Sequence, residues 1–518
     1  MAKHTLMALG DMMGLKKVLF SGAFWSLLSL LVSGLSGFIL LPVMLRYLGA
    51  DGVGLFALLT LFSLSGFAQI LELGFQTTTA KYVAEYRGQK NDEQIAALVG
   101  TVLQVYFALG ALIAIGGFFA AEAVAKAMVS TPSLASDFLL CLRLLFLSFT
   151  FTLPYLVMVG VLSGYHRFTT VKSIEILGHL LRLLGTLVVL LLGGGLVDVF
   201  ILQMAIQLLQ FLAILVAAVR LLPRGSIPGH FCFTILKEIS PLSGLLFVGR
   251  VCSITFKQTD RFLLAAYFSP EVVGRYEATT KMPYLVKGVA GAATDVLLPT
   301  VSFMDTDDFP RIQRLFYRSL KWQMAIAVPP GIFLIVFAEE ILRFWLGADY
   351  LSLAYGVRLA AVSILLVPMQ NVGGNFLIGL GRGVRESTVS NIVTSALNLG
   401  LTVMFVRNHA IVGALWATVL SGIVSVIWHF GIFRKALGIS VWQSMMSIVR
   451  VISFGVVLVL MSLVGEGRPL ELHVFVGLAV GYFALYGMYV HRVVFDDSDR
   501  KTLRQLVLGV RAKFFGAH

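Results

Sequence analysis

Between Lys17 and Arg46 the chain runs for 28 residues, Val18 to Leu45, without one charged side chain. A helix rising 1.5 Å per residue needs about 20 such residues to cross a hydrocarbon core about 30 Å thick. The stretch is too long for the apolar segment of a cleaved signal peptide and is expected as a retained first span. Similar runs, separated by short polar or Gly/Pro breaks, follow to the end of the chain. They place helical cores at 18–45, 53–75, 95–120, 138–163, 173–193, 197–220, 240–259, 273–300, 319–345, 353–380, 387–406, 411–433, 443–464 and 471–491. The expected fold is an all-α integral membrane protein of about 14 transmembrane helices. Only 13% of the 518 residues are charged, too few to clothe soluble domains of that total length.

Charge also gives the sidedness. With the N-terminus inside, cytoplasmic segments hold 25 of the 40 Lys and Arg, and outer loops, to which Arg46, Arg261 and Arg275 are assigned, hold 7. That bias fits the positive-inside rule and puts both termini in the cytoplasm. The net charge of +13 is therefore read as basic loops at a membrane surface, with no nucleic-acid partner. After Asp496-Asp497-Ser498-Asp499, Leu503, Leu506, Val507, Val510 and Phe514 recur at helical spacing among basic residues. This reads as an amphipathic tail helix on the inner leaflet, capped by its acidic cluster.

Several chemistries are excluded at this level. No link between spans is long enough for a catalytic or nucleotide-binding module, and the chain has no Gly-Lys-Ser/Thr to cradle a phosphate. Cys141, Cys232 and Cys252 form no spaced pair, so neither a disulfide frame nor a metal site is expected. Asp305-Thr-Asp307-Asp308 resembles the metal-binding pattern of sugar-nucleotide transferases, but Phe309-Pro310 and a following helix favour an N-terminal cap.

An internal repeat organises the spans. Tyr47, Gly54 and Phe56 after the first span match Tyr267, Gly274 and Tyr276 after the seventh, at an offset of 220 residues. Leu162-Ser-Gly164-Tyr-His-Arg167 is echoed by Ile378-Gly-Leu-Gly381-Arg382 at the corresponding place in the second half. Both halves begin on the cytoplasmic side, so the repeat is parallel. Two pseudo-symmetric six-helix lobes are expected over residues 1–221 and 222–435, with an extra helix pair at 436–492 and the tail at 493–518.

The stretch Leu40-Leu-Pro-Val-Met-Leu-Arg46-Tyr-Leu-Gly-Ala-Asp-Gly-Val-Gly54-Leu-Phe56, with Leu73-Gly74-Phe75 and Tyr82-Val-Ala-Glu85-Tyr, resembles the opening of bacterial polysaccharide-biosynthesis flippases. Thr259-Asp260-Arg261, Gly381-Arg382, Asn398 and Gly413-Ala414-Leu-Trp-Ala417-Thr418 extend the resemblance over roughly residues 15 to 435. These proteins belong to the multidrug/oligosaccharidyl-lipid/polysaccharide exporter superfamily. The resemblance implies a flippase for O-antigen or exopolysaccharide units on a polyprenyl diphosphate, working in the bacterial inner membrane by alternating access. It further implies lipid-linked oligosaccharide as cargo, membrane lipids around the protein, polysaccharide polymerase machinery downstream, and no cofactor. A lipid II flippase and a cation-coupled multidrug exporter share the fold. A membrane polymerase or ligase would need a large outer loop, and the sequence has none.

A flippase of this kind must carry a diphosphate past the midplane, where an unpaired charge costs about 3 kcal/mol or more. Deep cations are therefore candidates for the cargo. Arg143, Arg358 and Arg450 lie close enough to span ends to snorkel. Arg250 and Lys257 share a face of span seven, and span eight adds Lys281 and Lys287 around Pro283. These four form the candidate diphosphate site, with Arg46 at the first outer loop as either a release point or a lipid-headgroup anchor. The competing reading is structural pairing of Glu277 with Lys281 and of Asp295 with Lys287. Glu175, His179 and Arg182 share a face of span five, either as a coupling relay or as a satisfied lobe core; Glu72 is a further coupling candidate. Gln203, Gln207 and Gln210, and Asn391, Ser395, Asn398 and Thr402, form polar stripes suited to sugar contacts or to helix–helix hydrogen bonds.

Overall fold

The computed structural model describes the backbone of residues 2–292 (130 and 228 apart), 294, 301, 304, 307–464 and 470–504. Side chains are described from Phe24 onward, except at 242, 245, 246, 248–253, 255–257, 292, 367 and 456–464. Among these residues the regular elements are all helical. The α-helices are α1 (Ala2–Phe62), α2 (Phe75–Gly88), α3 (Asp92–Met128), α4 (Pro132–Gly164), α5 (Phe168–Leu191), α6 (Leu196–Val219) and α7 (Phe233–Tyr267). They continue with α8 (Pro270–Ala292), α9 (Phe309–Val336), α10 (Ala338–Trp345), α11 (Ala354–Leu380), α12 (Val384–Leu437), α13 (Val441–Val464) and α14 (Leu472–Tyr489). Nine helical segments among the described residues are long and apolar enough to cross a membrane. This is a multi-pass membrane protein.

Among the described residues each expected span falls at least partly on a helix, though not one to one. The first span and the start of the second are both in α1, which is kinked at Gly49 with φ 70°. The eleventh and twelfth share α12, which turns at Ala410 with φ 44°. A non-glycine residue held there costs of order 1–3 kcal/mol. The ninth is divided between α9 and α10.

The second span is interrupted, where a continuous helix over 53–75 was expected. Its helix stops at Phe62, a 3-10 turn covers Phe67–Glu72, and Leu73 and Gly74 are both left-handed before α2 begins. The cause is local: Ser63 Oγ donates to the Thr60 carbonyl at 2.8 Å and accepts from the Ser65 amide at 3.1 Å, offering the backbone an alternative to the helical ladder. Non-helical backbone at membrane depth persists only where protein buries it or a cavity hydrates it.

The chain packs as two compact units, residues 1–281 with 395–417, and residues 282–394 with 418–518. In the first, α5 exposes Leu177, Leu180, Leu184, Val188 and Leu191 as an apolar stripe, while its polar residues lie on other faces. The link before α7 is pinned to α3, where Gln104 Nε2 donates to the Gly229 carbonyl at 2.5 Å and the Cys232 amide donates to Thr101 Oγ1 at 2.9 Å. Gly54 of α1 and Gly274 of α8, the matched glycines of the repeat, meet backbone to backbone. A Cβ on Gly54 would run into the Pro270 carbonyl, and one on Gly274 into the Ala50 carbonyl.

In the second unit, Phe316, Phe376 and Phe433 interlock edge to face at the centre of the core. Pro329 inside α9 has no amide hydrogen for the Ala325 carbonyl. The Tyr486 hydroxyl of α14 donates to that carbonyl at 3.2 Å, and Tyr482 donates to the Pro329 carbonyl at 3.2 Å. The second helix of the last pair is thus bonded to α9. The tail helix begins on protein rather than lipid. Asp499 is fully buried between Arg318, Lys321 and Trp322, and Phe495 stacks on Trp322 at 4.5 Å. Asp496 caps the tail by accepting from the Asp499 amide at 2.9 Å. Residues 505–518, with the rest of the amphipathic pattern, lie outside the described residues.

Asp308 caps α9 by accepting from the Arg311 amide at 3.2 Å, and Asp307 pairs with Arg382 at 2.7 Å. The two described aspartates of the acidic cluster are therefore used in structure; Asp305 lies outside the described residues.

Candidate functional site

The break in the second span opens onto a cavity of about 500 Å³ within the first unit. Ser33, Ser36 and Gly37 of α1, His179 and Arg182 of α5, Gln203 and Gln207 of α6, Arg261 of α7, and Glu277 and Lys281 of α8 line it with apolar side chains between them. A side chamber of about 270 Å³ shares Ser63, Ser65, Leu145, His179, Arg182 and Gln207 with it. The chamber adds Ser148, Thr152, Tyr155, Glu175 and Gln210.

Each charged group is held by its neighbours. Lys281 lies against α1 where Gly37 leaves room; a Cβ there would stand 2.6 Å from Lys281 Nζ. Among the described residues Lys281 has no carboxylate partner. Arg182 donates to Gln210 Oε1 at 2.5 Å, and Gln210 is itself anchored by donating to the Ile174 carbonyl at 3.2 Å. Arg261 Nε is 2.5 Å from Glu277 Oε1. Glu175 is neutralised by Lys172 at 2.7 Å and also accepts from Ser29 Oγ at 3.3 Å. The larger cavity thus presents three cations against the single carboxylate of Glu277, an excess of positive charge in a low-dielectric wall.

Of the residues singled out from sequence, Lys281, Arg182 and His179 come together on this cavity, and Glu175 faces the side chamber. The side chains of Arg250 and Lys257 lie outside the described residues. Lys287 is half-buried, engaged with its surroundings and outside both cavity walls. Arg46 is exposed and Glu72 is buried in the 3-10 turn, where the Tyr106 hydroxyl donates to its carbonyl; neither lines the cavity or its side chamber. Glu277 pairs with Arg261 rather than with Lys281, the i, i+4 partner that helix geometry offered.

Arg261 was misplaced by sequence reasoning. The apolar run ends at residue 259, which assigned Arg261 to an outer loop, yet α7 continues to Tyr267. Its signal was spacing: Arg261 follows Lys257 by four residues, so both fall on one helix face. Of the polar stripes, Gln203 bonds Thr186 at 3.2 Å and Gln207 bonds Thr152 at 2.7 Å, so span six ties helices together and lines the cavity at once. Thr402 of span eleven donates to Asp260 at 3.3 Å.

Residues 43–355 match a family model described as polysaccharide biosynthesis protein. The chain belongs to that family. Among similar proteins, the probable low-salt glycan biosynthesis flippase Agl15 of Haloferax volcanii is 23% identical over 241 residues. That match covers 45% of this chain and about half (49%) of the relative's length. A putative O-antigen transporter of Shigella flexneri is 21% identical over 336 residues, 63% of this chain and 76% of that protein. Among solved structures, the lipid II flippase MurJ in an inward closed conformation superposes with a TM-score of 0.72 at 13% identity, covering 90% of this chain and 97% of that one. At that identity the likeness is one of fold alone.

Proposed function

We propose that this protein is an alternating-access flippase that moves polyprenyl-diphosphate-linked oligosaccharide from the inner to the outer leaflet for surface polysaccharide assembly. It works in the bacterial inner membrane with both termini in the cytoplasm, and hands its cargo to a polymerase. The observation that carries this reading is the cationic excess of the cavity, with Lys281 lacking a carboxylate partner among the described residues. A diphosphate leaving water needs cations and donors in place of its hydration shell, and Lys and Arg supply both. The names of the two relatives, one a glycan biosynthesis flippase and the other an O-antigen transporter, support the same cargo.

A multidrug exporter for cations would need the opposite cavity charge. A lipid II flippase would share the diphosphate chemistry, and the likeness to MurJ keeps it as the second reading. Complementation separates them. In a strain lacking its own oligosaccharide flippase, the wild-type protein restores surface glycan, whereas Lys281→Ala and Arg182→Ala lower it by tenfold or more at unchanged protein level. Full restoration by both variants refutes the site. Rescue of a lipid II flippase deletion, without rescue of surface glycan, would favour the second reading.

A further inference from the structure

The side chamber differs in chemistry from the cavity it joins. Lys281 and the Arg261–Glu277 pair stand on the main cavity alone and Arg182 on the wall the two spaces share; the chamber's Glu175 is already neutralised by Lys172 at 2.7 Å, and most of the rest of its polar wall is neutral. Much of its hydrogen-bonding capacity is unspent. Among the described residues neither the Tyr155 hydroxyl nor the His179 ring has a partner. Gln207 donates to Thr152 at 2.7 Å, which leaves its Oε1 open as an acceptor. Glu175 uses Oε2 for Lys172 and Ser29, leaving Oε1 open. Each group can accept, and Tyr155 and His179 can also donate. An aromatic ring, an amide, a carboxylate and an imidazole converge on a space of about 270 Å³. That is near the lower bound of about 300 Å³ for organic-ligand pockets and suits one sugar ring.

We infer that this chamber is a saccharide subsite that takes the sugar attached directly to the diphosphate. The inference rests on the proposed function and assigns the cargo two places. Arg182 lies on the wall common to both spaces, so a diphosphate between Arg182 and Lys281 delivers its first sugar to Tyr155 and Gln207. Vicinal hydroxyls donate and accept together, and that is what this mixed set of open groups satisfies. Substrate choice among surface glycans is then made at the first sugar, by groups that do not touch the phosphates.

The test uses the full-length protein in lipid nanodiscs and compares undecaprenyl diphosphate with the same lipid bearing one glucose, galactose, N-acetylglucosamine or N-acetylgalactosamine. At least one sugar-bearing lipid binds about tenfold tighter than the sugar-free lipid, the gain expected of two net hydrogen bonds. Tyr155→Phe reduces that preference to about threefold while affinity for the sugar-free lipid moves less than twofold, and adding Gln207→Leu removes the preference. Tyr155→Phe removes only a hydroxyl and guards against misfolding of the double variant. Lys281→Ala weakens both lipids alike. Absence of preference for all four sugars, or a preference that survives the double variant, overturns the subsite. So does an intact preference accompanied by a shifted proton or sodium dependence of transport, which would make the chamber a coupling relay. If wild-type protein binds no diphosphate lipid at all, the parent reading of function fails instead, and visibly so.

Discussion

Lys281 owes its position to what is missing opposite it. With no side chain at Gly37, the ammonium lies along α1 and faces the cavity. The obstruction a methyl group would create is the far end of a flexible side chain, so Gly37→Ala is expected to displace Lys281 with little cost to folding. Surface glycan should fall severalfold, while the melting temperature of the purified protein changes by no more than about 2 °C. A large loss of thermal stability would show instead that Gly37 serves helix packing. At this scale sequence singles out Arg182 and Lys281 as cations within spans, but it reads Arg182 as a relay or a lobe core and does not separate either from the equally deep Lys287, which lines neither cavity. Arg261 was not legible, because hydropathy marks where lipid ends and says nothing about where a helix ends.

The fourteen spans were legible because hydrocarbon thickness fixes their length and permits no unpaired backbone. The break at residues 63–74 was not, since Ser63, Ser65 and Gly66 sit in an otherwise apolar run and serine is common within spans. The repeat, by contrast, acquired a physical meaning: the matched Gly54 and Gly274 are the points where α1 and α8 touch. Here the obstacle to a side chain is backbone, which cannot rotate away. Gly54→Val should therefore force the two helix ends apart. In a background without Cys141, Cys232 and Cys252, a cysteine replacing the buried Val273 should become reactive to an impermeant maleimide only when Gly54→Val is also present. Equal protection with and without Gly54→Val would show that the helices accommodate the side chain elsewhere.

Across the whole molecule, the tail is joined to its unit through Asp496 and Asp499. Partial burial pushes the Asp496 carboxyl up, but the Asp499 amide and the Lys321 ammonium outweigh it and hold the group at about 2. A carboxyl with a depressed folded-state value stabilises docking fully above its ordinary value near 3.8 and loses that contribution as pH falls toward 2. A fluorophore on Arg504→Cys should accordingly stay immobile from pH 7 to about 4 and gain mobility between about 4 and 2. Asp499→Ala, which removes the buried acceptor shared by Arg318, Lys321 and the Trp322 indole, should free the probe at pH 7. Immobility of the probe in Asp499→Ala would assign docking to Phe495 and Leu503 instead.

The proline in α9 has a consequence for how such a chain can shorten over evolutionary time. Because Tyr486 answers the oxygen that Pro329 leaves open, a descendant that discarded its final two membrane crossings would strand that oxygen in oil. Removal is tolerable only after the ring has first been exchanged for a residue with an amide hydrogen. Lineages of this protein with twelve crossings should therefore lack the proline, and those that keep it should keep the tyrosine.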